Sequence, residues 1–379
     1  MSSSLDKQKI IIVSCSFYPM NSPRSFRTTE LVKEFARQGH EVVLLTPWNE
    51  ELHPGFELKH GIRIKDLGSA NLKRFDSSEN GRVVSLFKRI LNRALNLLIE
   101  FPDIQWMWKV KKALKYESGY DLLISIAAPH SVHWGVAWTR SERHPIAKTW
   151  VADCGDPFMG TVLDTFRKLF YFKHLEKMFC RKADFITVPI KEAIDAYYPE
   201  FRSKIRVIPQ GFNFDEVTID RSAYRKNGKP IFAYAGTLIP GGRDPGEFLE
   251  YLSDLGKDFK FILYTKSRSL VDPWKERMNG KLEVRDYIPR EELLKELSKM
   301  DFLVNFENST PLQMPSKLID YYLTGRPVLS VPSKKINREK VSEFMAGSYD
   351  RKIDFSGMER FRIENVCHRF LELSMGGER

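Results

Sequence analysis

Short runs of apolar residues alternate with segments of helical periodicity from the beginning of the chain. Residues 9–16 form an Ile- and Val-rich run, residues 25–38 form a helical segment closed by Gly39, and residues 41–46 form a second apolar run. Short continuous apolar runs are typical of buried parallel strands. A strand, a helix and a second strand in this order predict a βαβ unit.

The same alternation continues along the chain and then begins again. Further strands are expected at residues 121–126, 148–153, 185–189 and 205–209. After a polar stretch at 221–230, a second series is expected at residues 231–235, 259–264, 282–285, 302–305 and 327–331, with helical segments between them. Two consecutive α/β domains with parallel sheets are therefore predicted. A helix is expected at residues 361–373, a hairpin about Gly61 at residues 56–67, and an exposed loop at residues 69–81.

Length and composition favour a globular protein of two domains. A chain of 379 residues exceeds one typical core, and its 42% hydrophobic residues are enough to build two. No apolar run reaches the roughly 18 residues of a spanning helix, and the N-terminus has no secretory apolar segment. The four cysteines lie far apart, which fits neither a disulfide framework nor a zinc site. We expect a protein of the reducing cytoplasm.

The net charge of +11 indicates an acidic partner. Anionic lipid, nucleic acid and phosphate-bearing small molecules all satisfy this requirement. Nucleic acid is disfavoured because the chain has no zinc-finger, RNP-type or basic-zipper pattern.

One segment combines basic and apolar residues in a way that allows two interpretations. Residues 86–98 have an apolar face opposite a basic one, and a run of tryptophans and lysines follows up to Lys115. Such a helix can lie on an anionic membrane surface. It can equally pack on its own domain, and the sequence leaves both possibilities open.

The most informative segment is residues 314–331. Pro315 suits the first position of a helix, and Ser316 and Lys317 would surround the free N–H groups there, which is a natural seat for phosphate. One turn later, Asp320 can accept hydrogen bonds from sugar hydroxyls, and Gly325 ends the helix before a buried strand. This is the chemistry of a nucleotide-sugar site. A surface βα unit that merely begins with proline is the alternative.

This segment resembles the P-S-K-x-x-E-Y-x-x-x-G-x-P-V element of the retaining glycosyltransferases of family four, which have the GT-B fold. Asp320 takes the position of the second glutamate of that family's paired-glutamate motif, whose carboxylate holds the donor ribose. Leu312 takes the position of the first glutamate, so the chain departs from the family there.

A second element of the same resemblance lies upstream. A strand runs into the turn at Gly236 and Thr237, and Arg243 follows seven residues after the glycine. The pattern resembles the family's G-[RST]-x-x-x-x-x-[KR], whose basic residue grips the donor diphosphate. An arginine fork can bind two phosphate oxygens at once. Lys266 is a weaker candidate for a second cation, since a solvated lysine explains it better.

The N-terminal half carries further matches. The opening resembles that of the family, but residues 21–24 replace the usual Gly-rich turn. Arg24 and Arg27 either supply polar contacts there or are solvated arginines at a helix start. His130 and the Asp153/Asp156 pair follow two predicted strands, in segments that resemble one bacterial branch of the family. In open α/β sheets functional groups gather at such strand ends, although a histidine there can also be structural.

One further difference from the family and one crossing segment complete the resemblance. Gly155 replaces the arginine that is usual in the bacterial branch, and the segment around Gly211 resembles the family's crossing between domains. The resemblance implies an α/β GT-B architecture of two Rossmann-like α/β/α domains that face a cleft. The expected domains are residues 1–208, which bind acceptor, residues 209–357, which bind nucleotide sugar, and a C-terminal helix at 358–379 that crosses back to the first domain.

The implied activity is transfer of a sugar from a nucleoside diphosphate sugar to a glycan or lipid-linked acceptor in cell-surface polysaccharide synthesis, with retention of configuration. The implied catalytic residues are Arg243, Lys317, Asp156 and His130, and the implied donor-binding residues are Gly211, Gly236, Thr237, Arg243, Pro315, Ser316, Lys317 and Asp320.

No cofactor or metal is expected, because the chain has no G-x-G-x-x-G after a strand, no Walker lysine motif and no D-x-D motif. The expected binding partners are the nucleotide-sugar donor, the glycan or lipid-linked acceptor and the anionic inner face of the membrane. Two rival functions stay open: a nucleotide-sugar epimerase of the same fold, and a basic binding protein with a degenerate donor site.

Overall fold

The computed structural model describes residues 7–76, 82–160, 167–216, 219, 224, 226–307 and 317–376. The chain divides into two compact units, of which unit 1 comprises Met1–Asn213 and Glu359–Arg379, and unit 2 comprises Phe214–Met358. The domain limits that the sequence suggested at residues 209 and 358 stay predictions.

Unit 1 is built on a parallel sheet with the strand order β3-β2-β1-β4-β5-β6-β7. Its strands are β1 (Lys9–Ser14), β2 (Glu41–Thr46), β3 (Arg63–Asp66), β4 (Tyr120–Ile126), β5 (Ala147–Asp153), β6 (Phe185–Val188) and β7 (Ile205–Val207). Its helices are α1 (Pro23–Arg37), α2 (His53–His60), α3 (Arg82–Ile99), α4 (Gln105–Leu114), α5 (Ser131–Thr139), α6 (Phe172–Lys182) and the C-terminal α12 (Ile363–Ser374).

Unit 2 repeats the plan with the strand order β10-β9-β8-β11-β12, again all parallel. Its strands are β8 (Ile231–Ala235), β9 (Lys260–Tyr264), β10 (Leu282–Arg285), β11 (Phe302–Phe306) and β12 (Val328–Val331). Its helices are α7 (Gly246–Asp254), α8 (Asp272–Arg277), α9 (Arg290–Leu297), α10 (Lys317–Thr324) and α11 (Arg338–Met345). Short 3₁₀ helices cover Lys191–Ala196, Pro199–Lys204, Arg268–Leu270 and Met358–Phe361.

The two strand orders confirm the predicted pair of parallel α/β layers. In each unit the first strand lies between the second and the fourth, so the order reverses beside β1 in unit 1 and beside β8 in unit 2. Ligands of open α/β sheets bind just beyond the carboxyl ends of strands at such a switch point. The segments after β1, β4, β8 and β11 are therefore where functional groups are expected.

The predicted hairpin at residues 56–67 is wrong. The chain forms helix α2 instead, with Pro54 in its first turn and Gly61 in the left-handed conformation (φ +65) as its C-cap. Strand β3 then pairs with β2 in parallel, not antiparallel, register. The glycine that suggested a hairpin turn serves as a helix end, since both features favour a residue with positive φ.

The C-terminal helix α12 packs within unit 1, as the sequence predicted. Val366 and Phe370 of α12 are fully buried in the same core as Ile10 and Ile12 of β1. The segment after β7 is joined to the start of this helix by two hydrogen bonds, from Phe212 N to Phe361 O (2.8 Å) and from Ile363 N to Phe212 O (2.9 Å). The helix thus completes the layer that covers one face of the first sheet.

The basic segment that begins at α3 gives a mixed result. Helix α4 packs on its own unit, because Trp106 and Met107 are buried, whereas Trp108 is half exposed at 52%. Helix α3, in contrast, exposes apolar side chains, including Phe87 (64%) and Ile90 (59%). None of the helices in the described ranges is long and apolar enough to cross a bilayer.

Candidate functional site

Two cationic side chains lie together at the switch point of unit 2. Lys317 is the first residue of α10, and Arg243 lies in the loop between β8 and α7. The Lys317 ammonium is buried 4.4 Å from the centroid of the Tyr234 ring, and it has no hydrogen-bond partner among the described residues. The Arg243 Nε is also buried without a partner in the described part of the chain. Buried polar groups are normally paired, so an anion would suit the two cations that the described residues leave unpaired here.

The electrostatics of the pair support the same conclusion. Burial, with a further contribution from the positive charge of Arg243, lowers the pKa of Lys317 from 10.5 to about 7. A lysine in this state is partly neutral near physiological pH. A ligand with several negative charges would raise the pKa of Lys317 again, since it favours the charged ammonium. We call Lys317, Arg243 and Tyr234 the cation site.

A glycine turn lies next to the cation site. Gly236 follows β8 with φ +145, a conformation that other residues rarely adopt, and an added Cβ would come within 3.1 Å of the Tyr234 hydroxyl oxygen. The Tyr234 hydroxyl donates to the Thr237 carbonyl (2.9 Å), which fixes the turn. Thr237 itself is exposed, and its hydroxyl lies 3.3 Å from that of Tyr287. The turn therefore exposes backbone beside the cation site, as close approach of a ligand requires.

Asp320 is not a solvated residue on the surface of α10. Its carboxylate oxygen Oδ1 accepts hydrogen bonds from Arg290 Nε (2.9 Å) and Nη2 (2.8 Å). Burial raises the pKa of the Asp320 carboxyl, whereas Arg290 opposes this shift. Thr324, one turn further along α10, is buried, and its hydroxyl donates to the Tyr321 carbonyl (2.6 Å).

Several predicted residues of the donor segment cannot be placed. Leu312, Pro315 and Ser316 lie outside the described residues. Lys266 is exposed, with its ammonium 5.3 Å from the centroid of the Tyr287 ring.

Gly211 lies in unit 1, packed against Ile363 and Val366 of α12. A side chain at this position would overlap Ile363. Close packing therefore explains this glycine, and its predicted donor role stays a prediction.

The switch point of unit 1 is organised by a buried ion pair. Arg27 of α1 and Asp153 at the end of β5 are each 2% exposed, and Arg27 Nη2 lies 2.8 Å from Asp153 Oδ1. The Thr187 hydroxyl donates to the same oxygen (2.7 Å). Burial alone would raise the pKa of Asp153, but Arg27 and Arg24 hold it below the usual value. Arg27 is thus not a solvated arginine; it also donates to the Pro209 carbonyl and stabilises the crossing segment.

Arg24 explains the glycine that replaces the usual arginine. Its guanidinium lies against Gly155, where a Cβ would overlap it, and its Nη1 is 3.7 Å from Asp153 Oδ2. The arginine side chain is 22% exposed. A guanidinium is therefore present beside residue 155, although it comes from α1 and not from the loop after β5.

His130 and Asp156 are brought together after β4 and β5. His130 Nε2 donates to the Asp156 carbonyl (3.1 Å), which leaves its Nδ1 as an acceptor. Burial lowers the pKa of His130 to about 4, so the ring is neutral at pH 7. The Asp156 side chain is exposed. A neutral imidazole that is held in one orientation can accept a hydrogen bond from a substrate hydroxyl.

Arg290 and Tyr234 are parts of the site that the sequence reasoning did not include. Arg290 begins α9 and Tyr234 lies inside an apolar strand, so neither shows a local signal of function. Their importance depends on contacts with residues far along the chain.

Comparisons with known proteins give a consistent result. A search of curated proteins found no match. Among solved structures, the lipopolysaccharide outer core galactosyltransferase WaaB in its apo form aligns with a TM-score of 0.59 at 11% identity, over 98% of this chain and 100% of that one. A glycosyltransferase from Rickettsia africae ESF-5 aligns with a TM-score of 0.56 at 13% identity, over 98% and 94% of the chains.

A third structure, trehalose-6-phosphate from E. coli bound with UDP-2-fluoro glucose, aligns with a TM-score of 0.51 at 13% identity, over 98% and 96% of the chains. At such identities the likeness concerns the fold, which is that of the GT-B glycosyltransferases. The model of Glycosyltransferase Family 4 matches residues 26–216, which is half of the sequence. This chain therefore belongs to Glycosyltransferase Family 4.

Proposed function

We propose that this protein transfers a sugar from a nucleoside diphosphate sugar to a glycan or lipid-linked acceptor. The observation that carries the proposal is the cation site, where Lys317 Nζ and Arg243 Nε are buried without a hydrogen-bond partner among the described residues. A diphosphate supplies the missing negative charge and fits the fork of an arginine. The E. coli neighbour that holds UDP-2-fluoro glucose supports a donor of this class.

The cation site would act on the leaving group. When the bond between the sugar and the diphosphate breaks, negative charge develops on the bridging phosphate oxygen. Preorganised donors aimed at such a charge stabilise the transition state more than the ground state. Arg243 and Lys317 would supply this stabilisation without a metal ion, and the exposed backbone at Gly236 and Thr237 would allow the phosphates to approach closely.

Asp320 would hold the ribose, and Pro315 and Ser316 would extend the phosphate contacts at the start of α10. Asp320 Oδ1 is occupied by Arg290, but a carboxylate has a second oxygen that can accept hydroxyl protons. In unit 1, His130 and Asp156 would contact the acceptor or the transferred sugar. The neutral state of His130 suits hydrogen bonding, not charge neutralisation. Retention of configuration is proposed on the strength of family membership.

The exposed apolar face of α3 would bring the enzyme to an anionic membrane surface in the cytoplasm, where lipid-linked acceptors of cell-surface polysaccharides are elongated. The exposed apolar residues of this helix are Val84, Leu86, Phe87, Ile90, Leu98 and Ile99. Arg89 is exposed on the same helix, and the whole chain has a net charge of +11. Apolar side chains can insert among the lipids, and basic residues beside them favour bilayers that contain anionic lipid.

The proposal is tested in two steps. Thermal unfolding with UDP, GDP, dTDP and CMP sugars identifies the donor, because a ligand that binds only the folded state raises the unfolding temperature. Incubation of that donor with extracts of lipid-linked glycans then reveals the reaction. Release of nucleoside diphosphate that requires acceptor supports transfer. Interconversion of the nucleotide sugar without acceptor identifies an epimerase, and binding without any turnover identifies a non-catalytic protein.

A further inference from the structure

Arg290 is placed where a helix does not favour it. It is the first residue of α9, and the next two residues are Glu291 and Glu292. The N-terminus of a helix carries partial positive charge, which stabilises acidic residues and disfavours an arginine. An arginine at this position does not stabilise α9, so its role depends on contacts with other elements.

Those contacts lie on two carboxylates. Arg290 Nε and Nη2 both donate to Asp320 Oδ1, at 2.9 and 2.8 Å, and Nη1 donates to Glu216 Oε2 at 3.3 Å. The side chain of Asp320 is 25% exposed, whereas that of Glu216 is 53% exposed. The pair with Asp320 is consequently the better shielded from water, and it joins the start of α9 to the first turn of α10.

The geometry of this pair leaves one acceptor available. An arginine and a carboxylate often pair through two parallel hydrogen bonds that use both oxygens. Here both N–H groups meet the same oxygen, and Asp320 Oδ2 has no hydrogen-bond partner within the described ranges. A side chain held in this way has lost its rotational freedom before a ligand arrives, which lowers the cost of binding.

We propose that Arg290 is a positioning residue that holds Asp320 with Oδ2 turned to the ribose hydroxyls of the donor. This inference rests on the proposed function. Aspartate is one methylene shorter than the glutamate that is usual at this position in the family. Its carboxylate can therefore reach the ribose only in a narrow range of orientations, and Arg290 holds it in one of them. Arg290 then contributes to the selection of ribose over deoxyribose without contacting the sugar.

The test is the preference for ribonucleotides over deoxyribonucleotides. Calorimetric titration gives the Kd values of UDP, 2′-deoxy-UDP, GDP and 2′-deoxy-GDP for the wild type and three variants. We expect the wild type to prefer the ribose form of the accepted base by about tenfold, the value of one charged hydrogen bond. Arg290→Gln should reduce this preference to about twofold or less, and Arg290→Lys should restore part of it because one donor and the charge return.

Arg277→Gln is the matched control, since Arg277 pairs with Asp254 (3.4 Å) on the surface of the same unit. It should keep the wild-type preference, and unchanged unfolding temperatures should show that all variants are folded. Full ribose preference in Arg290→Gln would overturn the positioning role, as would tighter binding, which would mean that Arg290 competes with the ribose. If the wild type binds dTDP but none of these four nucleotides, the positioning role is overturned while the proposed donor class stands. If it binds no nucleoside diphosphate at all, the proposed function fails and the inference falls with it.

Discussion

The ammonium of Lys317 lies 4.4 Å from the centre of the Tyr234 ring and meets no hydrogen-bond acceptor in the described part of the chain. A ring face stabilises a cation by about 0.5–2 kcal/mol, which is far less than the cost of removing an ammonium from water. The contact therefore orients the lysine without neutralising it. The folded protein has already met the cost of taking this cation out of water. An anionic ligand that pairs with it therefore binds more tightly.

Arg243→Ala should lower kcat by about 10²–10³-fold, because one donor to the developing charge on the leaving diphosphate is lost. Steady-state kinetics with the identified donor measures this change. Arg277→Ala, a surface arginine of the same unit, is the control and should behave as wild type. Wild-type turnover in a folded Arg243→Ala protein would remove Arg243 from the mechanism.

Nucleotide binding near pH 7 should be accompanied by proton uptake. The pKa of Lys317 is lowered to about 7 by burial and by Arg243, so part of the population is neutral before binding. A bound diphosphate raises this pKa and draws a proton from the buffer. The calorimetric enthalpy of UDP binding should therefore depend on the ionisation enthalpy of the buffer, and Lys317→Met should remove most of that dependence.

The lowered pKa of Lys317 also makes the stability of the folded protein depend on pH. Because the pKa of Lys317 is lower in the folded protein (about 7) than its ordinary 10.5, the unfolded chain binds more protons between these values, and stability rises with pH there. Lys317→Met should consequently be more stable than wild type below pH 7, with an advantage that shrinks towards pH 10.5. Urea unfolding at pH 6 and pH 9 checks this, and an advantage that grows with pH would contradict it.

Asp320→Asn should raise the Kd of the donor nucleotide about tenfold or more, since a charged hydrogen bond contributes roughly 1.5–3 kcal/mol. The substitution keeps the shape of the side chain but removes its charge. Calorimetric titration of the nucleoside diphosphate provides the measurement, with Asp254→Asn, an exposed aspartate of unit 2, as the control. Unchanged affinity would show that Asp320 only joins α9 to α10.

The protein should bind vesicles that contain anionic lipid through the exposed side chains of α3, and this binding should weaken as salt is added. Phe87→Glu and Ile90→Glu, at side chains that are 64% and 59% exposed, should weaken co-sedimentation without loss of stability. Leu58→Glu is the matched control, because Leu58 is 88% exposed on α2. Equal binding to neutral and anionic vesicles would contradict an electrostatic contribution.

Gly135→Ala should destabilise unit 1 by about 1–3 kcal/mol, because α5 packs closely on α4. An added Cβ would lie 2.7 Å from both the Met107 carbonyl oxygen and the Val110 Cβ. Gly55→Ala in α2 is the control, since nothing lies within 4 Å of the corresponding Cβ. Urea unfolding monitored by circular dichroism compares the two, and equal stabilities would show that the helices can separate without cost.

The sequence by itself determined the order of strands and helices outside residues 56–67. Apolar runs such as Phe302–Phe306 and helical spacing such as that of α10 depend on side chains within one or two turns, so they can be read from a single chain. It also predicted a phosphate site at Lys317, near the start of a helix led by proline, and the resemblance to the family added Arg243. The hairpin expected about Gly61 failed because a glycine with positive φ serves a helix end as well as a turn.

Only the tertiary structure decided which charged groups meet. Arg290 and Asp320 are 30 residues apart, and Arg27 and Asp153 are 126 apart, so no local pattern could pair them. The same holds for the Arg24 guanidinium at Gly155, and for the burial of Trp106 beside an exposed Trp108. Periodicity records which face of an element is apolar, whereas the partner of a charge is set by the path of the chain, which brings together residues that the sequence keeps apart.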